Sequence, residues 1–319
     1  MFEHLNFGPG LEVAAHSAIG AGPVTRAENQ DNLLLIDAAG NAGFLRNGQP
    51  ATAGVPGWPP GHVRLAVLDG MGGHGHGREA AEAAAAGLLA IPACTDPGTL
   101  SQHLERLHAR LQARFDAFDD GTPRPGTTLT LLELPMQGDA LLWHVGDSRL
   151  YELTPAGAAA LTVDHVPATV LAMAGLLDED GWRRTVHGRH GPQIAQAFIL
   201  GNTFADPARL DDALFALTPA VLPPWLRALP DRRAIRLRGD ALYLLATDGF
   251  WSCADPAGFV GRWPHLLAHE RAAAALTALF GEIDTRPPLG LQPDNLTAIA
   301  LRVHAAQAAR DETALPQES

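Results

Sequence analysis

Residues 127–153 read TTLTLLELPMQGDALLWHVGDSRLYEL, and this stretch decides the fold class. Two strand-like apolar runs, 127–134 and 140–145, flank Gly138-Asp139, whose turn chemistry favours an antiparallel hairpin. A third run at 149–153 follows after only Gly146-Asp147-Ser148. Consecutive strands joined by short turns argue for an α+β chain with antiparallel sheets rather than a regular βαβ winding. Runs at 33–36, 63–68, 241–246 and 296–303 extend the pattern, and several mix alternation with continuous apolar residues, as packed sheets require. Helices are expected between the strand groups. The clearest covers 99–118, where Leu100, Leu104, Leu107, Leu111, Phe115 and Phe118 recur at steps of three and four, with Thr99 and Gln102 fitting a capping box. The alanine-rich segment 78–90 stops before Pro92, and 265–280 reads as a third helix. Segment 48–61 (GQPATAGVPGWPPG) reads as loop, 155–238 is rich in breakers with a helical piece at 167–177, and 305–319 loses its periodicity and is expected to fray. Residues 1–304 are therefore expected to form one domain, followed by a flexible tail.

The chain has 319 residues and a formal charge of −12, from 23 basic against 35 acidic side chains, and all 23 basic residues are arginine. Without lysine there is no Schiff base, no Walker-A lysine and no kinase ion pair, which excludes pyridoxal enzymes, ordinary P-loop NTPases and protein kinases. The acidic balance opposes tracking of a phosphate backbone, so nucleic acid is not an expected partner. No apolar run reaches the length of a membrane span, and the start MFEHLNFGPGLEV lacks a basic region followed by an apolar stretch. Cys94 and Cys253 form neither a disulfide framework nor a zinc set. A soluble protein in a reducing, cytoplasmic compartment is the expectation, without membrane association.

Aspartates sit at the ends of the apolar runs: Asp69 after 65–68, Asp147 after 141–145, Asp248 after 243–247, and Asp294 before the last strand. One Asp-Gly pair is usually only a turn, but four strand-end carboxylates converging in a partly desolvated place would repel one another unless a cation lay between them. Oxygen donors without a His/Cys set favour Mg²⁺ or Mn²⁺ over Zn²⁺. Two such ions would activate a bridging water and hold a phosphoryl group, onto which Arg26 could fork. In the sequence DGMGGHGHG (69–77) the glycines allow close backbone approach, the Gly70 carbonyl is a candidate ligand, and His74 is a candidate proton donor or outer-shell group rather than a direct ligand.

Taken in order, Arg26-Ala-Glu-Asn-Gln-Asp31, Asp69-Gly-Met-Gly-Gly-His74, Gly126-Thr-Thr128, Gly146-Asp-Ser-Arg149-Leu-Tyr151, Leu161-Thr-Val-Asp-His165, Thr247-Asp-Gly-Phe-Trp251 and Asp294-Asn-Leu-Thr297 resemble the motifs of the PP2C-type (PPM) metal-dependent Ser/Thr protein phosphatases, bacterial branch. The resemblance runs from about Gly20 to Val303 and implies a central sandwich of two antiparallel sheets flanked by helices in α-β-β-α layers. By that likeness Asp69 bridges two Mn²⁺ or Mg²⁺ ions, Gly70 offers its carbonyl to one, Asp248 and Asp294 complete the other, and Asp147 helps bind a looser third. Arg26 holds the substrate phosphate, Asp31 orients metal-bound waters from behind, and a metal-bridging hydroxide attacks phosphorus directly, without a phosphoenzyme. This chain departs from the pattern at Gln30, where the family commonly has Glu. Glutamine can still reach a metal through a water but carries no charge. Met71 replaces the histidine of eukaryotic relatives, and the segment ending Ala-Phe-Ile-Leu-Gly201 lacks the family's arginine. The implied partners are phosphorylated proteins and a cognate Ser/Thr kinase. Two other readings stay open: a PP2C-like binding module without turnover, and a phosphohydrolase acting on small molecules.

Overall fold

The computed structural model describes residues 1–21, 24–72, 76–116, 124–189, 191, 194–206, 208 and 212–304. Two antiparallel sheets carry the fold. The larger runs in the order Arg232–Ile235, Ala140–Val145, Leu129–Leu134, Val63–Leu68, Asn32–Ile36, Asn41–Arg46, Gln49–Gly54. The smaller runs Leu11–Ala18, Leu296–Val303, Leu242–Ala246, Arg149–Thr154, Gly157–Ala160. Alternation sorts each strand between two cores. Val63, Leu65 and Val67 meet Leu245, Ile299 and Leu301 of the other sheet, whereas Ala66 and Leu68 pack outward against the helices α1 (His76–Leu89) and α2 (Pro97–Phe115). The outer face of the smaller sheet, with Leu244, Ala246 and Ala298, is covered by α5 (Pro256–Gly261), α6 (Trp263–Leu266) and α7 (Ala272–Thr285). Burial on both faces explains why these strands read as continuous apolar runs. The α-β-β-α sandwich expected from the sequence is the observed one. A satellite core joins α3 (Pro167–Met173) and α4 (Glu179–Val186) to Leu217, Leu222 and Leu226.

Four local expectations are corrected. Segment 48–61 contains the edge strand Gln49–Gly54, paired to Asn41–Arg46 through Asn47-Gly48. Both turn residues have positive φ, 51° and 67°, the requirement of a tight hairpin turn. Pro50 is tolerated because an edge strand need not donate on its outer side. Helix α2 begins at Pro97, and its cap is Asp96, whose carboxylate accepts from Thr99 N at 2.8 Å; Thr99 is not the cap. The helix expected over 265–280 is two, α6 and α7, separated at 267–271. The second starts where Glu12 of the first strand accepts from Ala272 N at 3.2 Å, a cap supplied by tertiary structure. Segment 155–238 also holds α4 and the strand Arg232–Ile235, neither evident from its composition. The tail 305–319 lies outside the described residues.

Candidate active site

The antiparallel registers place every motif aspartate at one end of the sandwich. Asn32 pairs with Leu68, Thr130 with Val67, and Leu129 with Val145, so Asp31, Asp69 and Asp147 share one edge of the larger sheet. Arg149 pairs with Ala246, and Ala246 with Ala298, which brings Asp248 and Asp294 to the same edge of the smaller one. A cavity of about 830 Å³ opens there, lined by Asp69, Gly70, Asp147, Asp248 and Asp294, with Arg26 and Gln30 beside them. A larger cavity, about 1060 Å³, lies away from these aspartates between the first strand and α7.

Hydroxyls and backbone groups fix the carboxylates. Asp69 N donates to Thr128 Oγ1 at 2.9 Å, and Thr128 is tied to Ser148 at 2.6 Å. Asp31 does not line the cavity; it is buried behind it, where Thr247 Oγ1 donates to Asp31 Oδ2 at 2.9 Å. Ser252 Oγ donates to the Asp248 carbonyl at 3.0 Å. Asn295, half of the last motif, accepts from Gln30 N at 2.8 Å and donates to the Glu28 carbonyl at 3.0 Å, and so locks the Arg26 loop to the final strand. Gly70 admits no side chain: a Cβ would lie 2.3 Å from the Gly77 carbonyl oxygen and 2.4 Å from that of Gln30.

Burial and mutual repulsion raise the proton affinity of these acids. Burial pushes Asp31 up to about 8, with Asp294 and Asp248 adding repulsion against the lowering hydrogen bonds of Thr297 and Thr247. Asp69 is raised well above the carboxylate range by burial and then by Asp31, Asp248, Asp294 and Asp147. Asp147 is raised by burial and by Asp248 and Asp164, with Arg149 opposing. Burial and Asp294 bring Asp248 to about 6, although a hydrogen bond from Asp69 holds it down. Arg26 answers part of this charge, with Nη2 2.9 Å from Asp294 Oδ1 and its side chain 52% exposed against 20% for the aspartate.

These residues fit a divalent cation. The donors are oxygens, the buried Asp147 Oδ1 has no hydrogen-bond partner, and carboxylates that lose stability through mutual repulsion regain it around positive charge. Among the described residues no three His, Cys, Asp or Glu side chains already grip one point, and Asp294 is turned onto Arg26. Gln30 lines the cavity; its Nε2 donates to Glu28 Oε1 at 2.8 Å, and its own oxygen lies against Gly77. His74 lies outside the described residues.

Sequence reading missed Asp231. His165 Nδ1 lies 3.1 Å from Gly146 N and 3.3 Å from its carbonyl, while Nε2 meets Asp231 Oδ2 at 3.2 Å. This buried pair braces the turn before Asp147. Nothing near Asp231 in sequence signals it, because the contact spans 66 residues.

The two-sheet sandwich with acidic strand ends is the fold of the PPM-type Ser/Thr phosphatases. The chain superposes on the Streptococcus agalactiae serine/threonine phosphatase with a TM-score of 0.64, at 19% identity over 92% of this chain and 100% of that one. The catalytic domain of the serine/threonine protein phosphatase PstP, solved in complex with two manganese ions, gives 0.56 at 20% identity over 92% of this chain and 99% of that one. No family model matches the chain. In sequence it is 32% identical over 222 residues to the Mus musculus protein described as "Probable protein phosphatase 1N", a match covering 66% of this chain. The chain spans about half the length, 51%, of that curated relative.

Proposed function

We propose that this chain is a Mn²⁺- or Mg²⁺-dependent protein phosphatase that hydrolyses phosphoserine and phosphothreonine. The observation that carries the reading is the convergence of Asp69, Asp147, Asp248 and Asp294 on one cavity beside an exposed arginine. Asp69, the Gly70 carbonyl, Asp248 and Asp294 would hold two ions and Asp147 a third. Such ions, when bound, supply an activated water and neutralise phosphate charge. With a cation drawing on Asp294, the Arg26 guanidinium would be available to phosphate, and its planar fork matches two phosphate oxygens. Asp31, buried behind the cavity, would orient metal-bound water from there. Gln30 contributes a neutral hydrogen bond, and its partner Glu28 brings the nearest carboxylate to that position. On this reading residues 1–304 act as one catalytic unit on phosphorylated proteins in the cytoplasm, opposite a Ser/Thr kinase.

The test is hydrolysis of p-nitrophenyl phosphate and of a phosphothreonine peptide. Turnover is expected to require Mn²⁺ or Mg²⁺, to stop with chelator, and to fall at least about 100-fold in Asp248→Asn, which halves the anionic character of one ligand pair. Wild-type turnover indifferent to chelator, or an Asp248→Asn variant as active as its parent, would sink the assignment.

A further inference from the structure

Ile199 is a β-branched residue at φ 78°, a backbone conformation that suits glycine and asparagine. It stands in the tight turn between Gln196–Ala197 and Gly201–Asn202, which pair antiparallel with Ala197 opposite Gly201. Two contacts hold it there. Its side chain is fully buried in the core that α2 shares with the larger sheet, and its N–H donates to His108 Nδ1 of α2 at 2.9 Å. Burial and then the charge of Arg232 keep the His108 ring neutral, its pKa pushed down to about 4. With Nδ1 accepting, the ring proton sits on Nε2, which is buried and meets no partner among the described residues. Leucine would fill this space without stranding a donor, so what histidine adds at 108 is the Nδ1 acceptor.

The turn is bonded through to the aspartate cavity. Phe198 exchanges two backbone hydrogen bonds with Thr127, each 3.0 Å, and Leu200 packs so closely on Gly126 that a Cβ there would lie 2.6 Å from Leu200 Cγ. Along its other edge Gly126–Thr127 pairs with Gly70–Met71, and Thr128 N donates to the Asp69 carbonyl at 2.8 Å. Helix α2, the turn, the middle strand and the loop Asp69–Met71 are thus four pieces, each hydrogen-bonded to the next. We propose that His108 is a positioning residue for this loop: by holding Ile199 in its left-handed conformation it fixes the strand against which Asp69 and the Gly70 carbonyl are set. The proposal rests on the metal-dependent reading of the cavity. Without the Nδ1 acceptor the Ile199 N–H would be buried and unpaired in a strained conformation, and the turn would relax away from it. Ligands already held in place lose less freedom when an ion binds, so a relaxed turn weakens the ion's hold.

The experiment compares His108→Leu, His108→Gln and His108→Asn in the full chain. Asparagine can put an oxygen where Nδ1 stands, glutamine reaches the Nε2 position instead, and leucine offers no acceptor. Mn²⁺ affinity is measured by calorimetry, and exchange of the Thr127, Thr128 and Phe198 amides by NMR in the metal-free chain. His108→Leu and His108→Gln are expected to weaken Mn²⁺ binding about tenfold and to speed amide exchange, and His108→Asn to restore both to near wild-type values. Leu100→Ala, which opens a cavity earlier on the same helix, is expected to lower the melting temperature and leave Mn²⁺ affinity unchanged. Should His108→Leu fail to fold, the contrast between His108→Asn and His108→Gln decides alone. Wild-type affinity and exchange in His108→Leu and His108→Gln, a His108→Asn variant as impaired as either, or a Leu100→Ala variant that loses Mn²⁺ equally overturns the inference. A wild-type chain that binds no Mn²⁺ while the exchange contrast persists would instead overturn the metal reading and leave the clamp on the loop standing.

Discussion

Arg26 and Gly70 show how single positions set the site's chemistry. Arg26 holds Asp294 at 2.9 Å while half exposed, so it competes with any cation for that carboxylate. Arg26→Ala is therefore expected to raise KM for a phosphopeptide about tenfold, as loss of a charge-assisted phosphate contact does, while Mn²⁺ affinity measured by calorimetry stays equal or rises. A fall in Mn²⁺ affinity would show that the arginine supports the ligand set instead of competing with it. Gly70 is constrained by backbone on two sides, the Gly77 and Gln30 carbonyls, which cannot swing away as a side chain would. Gly70→Ala is expected to lower stability by about 2–3 kcal/mol in chemical unfolding and to weaken Mn²⁺ binding at the same time, because the displaced groups are the candidate carbonyl ligand and the loop of Gln30. A stable, fully binding alanine variant would mean that the loop relaxes freely.

The end of the sandwich opposite the aspartates is tied by one buried charge network. Arg64 on the central strand donates to Glu133 at 2.6 and 2.9 Å and to the carbonyls of Leu88, Ile91 and Pro92, so it closes the C-terminal end of α1. Burial alone would raise the Glu133 carboxyl, but hydrogen bonds from His62 and Arg64 and the arginine's charge outweigh it and hold the group below its usual range. Removing one partner of such a pair strands the other. Glu133→Ala is expected to cost about 3–5 kcal/mol, and the double replacement Arg64→Met with Glu133→Leu to recover most of it in the same unfolding measurement. Additive losses would refute the pairing. Neither charge was legible in the sequence as part of a core, since Arg64 and Glu133 sit inside strand runs where a charge reads as an exposed position. What was legible has a physical reason. Strands buried on both faces announce themselves by continuous Leu and Val, and the carboxylates by their place at the ends of those runs, two of them, Asp69 and Asp248, in Asp-Gly turns. The edge strand Gln49–Gly54 was hidden because Pro and Gly are tolerated where one side needs no partner, and the break before α7 because its cap, Glu12, comes from the far end of the chain. The brace of Asp231 on His165 was hidden for the same reason of distance, whereas Asp69, Asp147, Asp248 and Asp294 were found because each motif is local.

At the scale of the whole molecule, part of the acidic excess of a chain with no lysine sits where protons or cations must neutralise it. The raised groups include Asp31 near 8, Asp248 near 6, and Asp69 and Asp147 well above the ordinary carboxylate value. Between about pH 4, where carboxylates titrate in the unfolded chain, and these raised values, the metal-free folded chain binds more protons than the unfolded one. Its stability from these groups is complete below that window and is lost as pH rises through it. Buried histidines act with the opposite sign. Burial and then Arg232 push His108 down to about 4, and burial also lowers His144 and His187, so the unfolded chain takes up their protons first and acid below about pH 6.5 destabilises. A bare melting curve against pH therefore mixes two opposing trends, but the difference between melts with and without Mn²⁺ cancels the histidines and isolates the carboxylates. At pH 8, with Mn²⁺ at about 100 times its dissociation constant, stabilisation of about 2.7 kcal/mol is expected, on the order of 5–10 °C in melting temperature. As pH falls from 8 through 6 to 5, protons reoccupy Asp31 and Asp248 and the shift is expected to shrink toward zero at fixed Mn²⁺, with proton release on binding visible as a buffer-dependent heat in calorimetry. A Mn²⁺-induced shift that stays constant between pH 8 and 5 would place the ion on groups other than these aspartates.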